Sequence, residues 1–125
     1  MRLTRREFLE ISAGAVALAG IGLVGLEIAR GNIHFNDFRA LPGMHLVLNL
    51  DVPKPEKARV YLVARAEGRE GVVASLPGAS DIEIEVPMIE TDEESFELYA
   101  VAETDFGHIK SECVEVLAQP YIFGL

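Results

Sequence analysis

From Met44 onward, apolar residues return at every second position, and this period constrains the fold more than any other feature. Leu46, Leu48 and Leu50 alternate with His45, Val47 and Asn49. Val60, Leu62 and Ala64 alternate with Arg59, Tyr61, Val63 and Arg65, and Ile82, Ile84 and Val86 with Glu83 and Glu85. Successive side chains of a strand point to opposite faces, so each stretch has one face to bury and one to leave in water. Strands are therefore predicted over 44–51, 58–65, 72–76, 81–86, 96–104 and 108–117. Between them lie turns at Pro53-Lys54-Pro55, Glu67 to Gly71, Pro77-Gly78 and Asp105-Phe106-Gly107. No segment after Arg30 carries a helical stripe. Six or seven short strands, with a turn roughly every 8–12 residues, predict an all-β sandwich over 44–118. Residues 31–43 read as a linker or first strand, Glu90 to Glu94 as a solvated loop, and 119–125 as an apolar tail.

The last hairpin sharpens the fold class. Tyr99-Ala-Val101-Ala-Glu-Thr-Asp105-Phe-Gly107, followed by Val114-Glu-Val116, is similar to the F–G hairpin of fibronectin type III and bacterial immunoglobulin-like domains. The resemblance implies an antiparallel immunoglobulin-like sandwich in which Tyr99 anchors a corner between the sheets. Read from the residue alone, Tyr99 equally fits a side chain packed on a sheet face. The family's strand-C tryptophan has no counterpart, because the chain has no tryptophan.

The N-terminus is of another kind. Arg2, Arg5 and Arg6 precede an apolar run from Ile11 to Ile28, 18 residues interrupted only by Ser12 and Glu27. As a helix the run would be about 27 Å long, against about 30 Å for the hydrocarbon core of a bilayer. The arginines would keep Met1 cytoplasmic. Thr4-Arg5-Arg6-Glu7-Phe8-Leu9 resembles a twin-arginine (Tat) export signal, with Glu10 where a lysine is common. That resemblance implies recognition of Arg5, Arg6, Phe8 and Leu9 by the Tat translocase, a route for folded cargo. The competing readings are a Sec-type anchor with an accidental arginine pair and, third, a buried core helix of a soluble protein, against which nothing downstream looks helical enough to pack. No small-x-small cleavage triplet closes the run, and Ala17-Leu18-Ala19 lies in its middle. Residues 1–30 are thus read as signal and uncleaved single-pass anchor, with the domain on the extracytoplasmic side; cleavage would make it secreted or periplasmic.

Charge narrows the partners. Residues 1–31 hold four arginines and three acids, and the remaining 94 hold seven basic and 17 acidic groups, a net −10. Such a domain is repelled by nucleic acid and by anionic lipid head groups. The single cysteine, Cys113, excludes an intrachain disulfide.

Chemistry is sparse. His34, His45, His108, Met44, Met88 and Cys113 are the candidate metal ligands, but Cys113 is followed by neither His nor Met, and the histidines are isolated. Asp92-Glu93-Glu94 is the only run suited to a hard cation, and a charged loop is more often simply solvated. Nucleophile elbow, phosphate loop and paired redox cysteines are missing from the sequence. The expectation is therefore no catalysis, no cofactor and no metal. Tyr121, Ile122, Phe123 and Leu125 make an unusually apolar end, suited to folding back, entering a partner or resting on a membrane. Together these features predict a membrane-anchored accessory or structural subunit that docks on a partner protein, such as a Tat-exported redox complex. The alternatives are a self-assembling surface protein that exchanges its tail, and a metal- or redox-carrying domain.

Overall fold

In the computed structural model, which describes residues 2–11, 31–105 and 107–118, the alternating stretches form most of eleven strands. They are β1 (Arg2–Leu3), β2 (Asn32–Phe35), β3 (Arg39–Ala40), β4 (His45–Asp51), β5 (Arg59–Ala66), β6 (Arg69–Pro77), β7 (Asp81–Glu85), β8 (Met88–Ile89), β9 (Ser95–Thr104), β10 (Gly107–Lys110) and β11 (Val114–Leu117). The fold is all-β and its strands are mostly antiparallel. One sheet runs β2-β4-β7. The larger runs β3-β11-β9-β5-β6, with β10 also on β9. A third pairing joins β1 to β8 in parallel.

The period-two faces meet in one core. Leu46, Leu48, Leu50, Ile82 and Ile84 come from the smaller sheet, and Val60, Leu62, Ala64, Phe96, Leu98 and Val116 from the larger. Each buried Leu, Ile or Phe side chain stabilises by about 1.5–3 kcal/mol relative to exposure. The region read as linker or first strand supplies both: β2 pairs antiparallel with β4, β3 pairs parallel with β11, and Ile33, Phe35 and Ala40 join the core.

Three boundaries differ from the sequence reading. The turn expected over Glu67 to Gly71 is only Glu67-Gly68, both with positive φ (54° and 72°). Such a two-residue turn matches the twist of flanking strands, so β6 begins at once with Arg69 opposite Ala66. A bulge then sets Leu62 opposite Ala74 but Val63 opposite Val72, leaving Val73 as the extra residue. The strand expected over 108–117 is divided at 111–113. There the Ser111 hydroxyl accepts the Ala100 amide at 2.8 Å, while the Ser111 amide donates to the Ala100 carbonyl at 2.9 Å. Side chain and backbone of one serine thus satisfy β9 across the break. The run Glu90 to Glu94, expected as a solvated loop, follows directly on β8 and contains the buried Thr91.

Candidate functional site

Two arginine–carboxylate clusters stand out, one at the N-terminal segment and one on the outer face of the larger sheet. The first is built from the export-like motif itself. Leu3 pairs with Ile89, and the Glu90 amide donates to the Leu3 carbonyl at 3.0 Å. Thr4 then starts a helix over residues 5–11. Its hydroxyl accepts the Glu7 amide at 3.1 Å, and its carbonyl accepts the Phe8 amide at 2.9 Å. Thr4 and Glu7 occupy the positions of a capping box, and Leu3 and Phe8 those of a hydrophobic staple. Both staple residues belong to the domain core, with Phe8 0% exposed. Burial of a phenylalanine contributes about 1.5–3 kcal/mol.

With Phe8 inward, Arg5 faces the β5–β6 turn. Its Nε donates to both carboxylate oxygens of Glu67 at 3.0 Å, its Nη2 donates to Oε1 at 2.7 Å, and Nη2 lies 3.2 Å from Asp92 Oδ2. The Arg5 amide reaches Glu90 Oε2 at 3.4 Å, and the Glu67 amide donates to the Glu93 carboxylate. The hydrogen bond from Arg5 holds the Glu67 carboxyl below its ordinary range. Arg6 points away, 89% exposed, and pairs with Glu10 at 3.3 Å. Leu9 is half-buried. The four residues read as an export signal therefore divide: Arg5 and Phe8 are held by the domain, while Arg6 faces solvent. An open cleft of about 520 Å³ beside the segment is lined by Arg2, Arg5, Met88, Ile89, Asp92 and Ala118.

The second cluster stands on the outer face of β5, β6 and β9. The two-residue turn puts Glu70 opposite Arg65, and Glu70 accepts from Arg65 Nε at 2.7 Å and from the Tyr99 hydroxyl at 2.9 Å. Arg65 also donates to Glu97 at 3.0 Å. Lys110 Nζ sits 4.2 Å from the centre of the Tyr99 ring, so the outward tyrosine is only 2% exposed. Burial first, and then the Glu70 hydrogen bond, push the Tyr99 hydroxyl from 10.0 to about 12. Burial also works against the Glu70 charge, but the bonds from Arg65 and Tyr99 outweigh it and hold this carboxyl low. Tyr99 thus packs on a sheet face, and its hydroxyl meets a carboxylate rather than the backbone bond of a tyrosine corner.

Beside this cluster an open cleft of about 490 Å³ is lined by Phe38, Arg39, Arg65, Glu97, Cys113 and Glu115. Burial, with Glu97 nearby, pushes the Cys113 thiol up, so it stays protonated and is a poor nucleophile. The other candidate ligands are dispersed. His45 faces Glu83 at 3.1 Å, His108 lies 3.8 Å from Glu103, and Met44 Sδ accepts the Leu41 amide at 3.1 Å. Among the described residues no three His, Cys, Asp or Glu side chains are grouped to hold a metal. Within the run read as a cation loop, Asp92 is turned to Arg5 and Glu93 to the Glu67 amide.

Exposed large apolar side chains occur together in sequence: Phe38 (60% exposed), Leu41, Met44 and Val47. Among the described residues no helix is long and apolar enough to cross a membrane. Apart from Ile11, the proposed anchor over 11–28 lies outside the described residues, as do Tyr121, Ile122, Phe123 and Leu125.

The sequence matches no protein-family model, and no curated protein matches it.

Proposed function

We propose that this chain is a Tat-exported, immunoglobulin-like β-sandwich subunit. It is moored at the outer face of a cytoplasmic membrane and acts by docking on a partner protein without catalysis of its own. The strand order supports the sandwich reading: the first extended segment divides between the two sheets, with β2 on β4 and β3 on β11. The matches at Arg5, Arg6, Phe8 and Leu9 support the export route, and the 18-residue apolar run supports the mooring.

The observation that carries the docking reading is the exposed apolar stretch Phe38, Leu41, Met44 and Val47. Phe38 and Leu41 flank the edge strand β3, Met44 comes just before β4, and Val47 lies on the outward side of β4, where a protein surface is normally charged. The acidic balance of the domain selects a protein partner with a basic rim over nucleic acid or anionic lipid. Purification of the full chain from its native membranes in mild detergent tests the proposal. A partner should co-purify stoichiometrically and be lost with Phe38→Ser/Val47→Ser. Recovery of the unaltered chain alone, or turnover of a substrate by the isolated chain, contradicts it.

A further inference from the structure

We infer that the folded domain carries a binding site for its own N-terminal segment, and that this site holds the twin-arginine signal back from the translocase until the segment is released. The inference rests on the export reading above and adds its regulation. The site has three parts. The edge of β8 takes Leu3 in parallel pairing, the core takes Phe8 to 0% exposure, and Glu67 and Asp92 clasp the Arg5 guanidinium.

Two arguments lead from this geometry to a releasable contact. The first is exclusion. A helix spanning the membrane over 11–28 would place residue 8 and residue 33 on opposite sides of a hydrocarbon layer about 30 Å thick. Here Phe8 and Ile33 lie in one core. The docked and the membrane-spanning arrangements are alternatives for one chain, so a chain that is exported must pass from one to the other. A route for folded cargo supplies the docked arrangement first, because the folded domain and its signal then share one compartment.

The second argument is the chemistry of recognition. A receptor that reads paired arginines needs both guanidinium groups, and one of them already has a bidentate carboxylate partner. A receptor that also reads Phe8 needs a side chain that here is wholly enclosed. The clasp on Arg5 is half exposed, so it fixes the position of the segment without locking it. The remaining hold comes from Leu3, Phe8 and the partly buried Ile11.

The test changes the domain side of the site and leaves the signal intact. The full chain is made in cells lacking the translocase, and the cytosolic precursor is treated with trypsin while cleavage after Arg6 is followed by mass. Glu67→Lys/Asp92→Lys should be cut about tenfold faster than the unaltered chain, as repulsion replaces two ion pairs. Adding Arg5→Glu should restore protection. In cells with the translocase, Glu67→Lys/Asp92→Lys should be exported faster. Equal cleavage of the two precursors overturns the inference, and so does faster cleavage without faster export. Unfolding of the charge-reversed domain would show as cleavage at Arg59 and Arg65; Glu67→Gln/Asp92→Asn, which opens the clasp without adding charge and leaves the signal intact, then replaces it under the same two criteria. Arg5→Lys/Arg6→Lys separates the export reading. If that variant is exported as well as the unaltered chain, the twin-arginine assignment fails, while trypsin protection still reports whether the domain holds the segment.

Discussion

The two arginine–carboxylate clusters use the same chemistry and do opposite work. Arg65 meets Glu70 between neighbouring strands, five residues apart in the chain, under the ring of Tyr99 and beside Lys110. Arg5 meets Glu67 across 62 residues of sequence, from a helix turn that is itself part of the segment read as an export signal. In the first cluster every partner is fixed by sheet register, and the hydroxyl of a buried tyrosine completes the carboxylate. In the second, one partner belongs to a strand-and-helix segment joined to the domain by a two-residue strand and three apolar side chains, Leu3, Phe8 and the partly buried Ile11. An ion pair between fixed elements rigidifies a face, whereas one between a domain and a detachable segment works as a clasp. Burial and register, not the residue types, separate the two roles.

Four changes break or sharpen this contrast, from the largest expected effect to the smallest. Phe8→Ala removes the apolar hold, and its cost in urea denaturation should be about 2–3 kcal/mol, below the 3–5 kcal/mol typical of a central aromatic such as Phe96→Ala, because the segment can detach. Equal costs would make the segment an integral part of the core. Glu70→Ala strips Arg65 and Tyr99 of their shared acceptor and should lower stability by about 1–2 kcal/mol, the lower part of the usual range because the pair is about a third exposed.

Titration separates the clusters by pH. Tyr99 should ionise at about 12 in absorbance, and earlier in Glu70→Gln. Its folded value is raised, so its contribution to stability is complete below pH 10 and is lost as pH rises through about 12. Glu70 and Glu67 are held below the ordinary 4.5, so their contributions are present above that value and are lost as pH falls beneath it. The smallest effect belongs to Glu67→Gln. It should leave the urea midpoint where it is while raising trypsin cleavage after Arg6.

Much of the β-structure could be read from alternation, because inward Leu46, Leu48, Leu50, Ile82 and Ile84 keep strict phase. Where phase breaks, the reading failed for a physical reason. Val73 is an extra residue in β6, so the strand from Arg69 to Pro77 has no single period, and Glu70 looked like part of a turn. Ser111 replaces a backbone partner with a hydroxyl, a substitution that apolar patterning does not register. β1 and β8 have two residues each, too few for any period. The role of Tyr99 depends on a carboxylate 29 residues away, brought there by the register of the two-residue turn. The N-terminal cluster left one overlooked signal. Leu3-Thr4-x-x-Glu7-Phe8 spells a capping box with its staple, in the same letters that spell the export motif. A helix start with buried anchors was therefore legible, but its acceptor, the Glu67 turn together with the edge at Ile89, was not.

Amide hydrogen exchange of the cytosolic precursor, resolved at Phe8 and Ala100, tests the central claim most directly. The Phe8 amide donates to Thr4 within the docked segment, and the Ala100 amide donates to Ser111 inside the larger sheet. A domain that holds its N-terminal segment as a releasable clasp predicts protection at Phe8 that is well above that of a free peptide and well below that of Ala100. Phe8 exchanging at the free-peptide rate, or as slowly as Ala100, contradicts it.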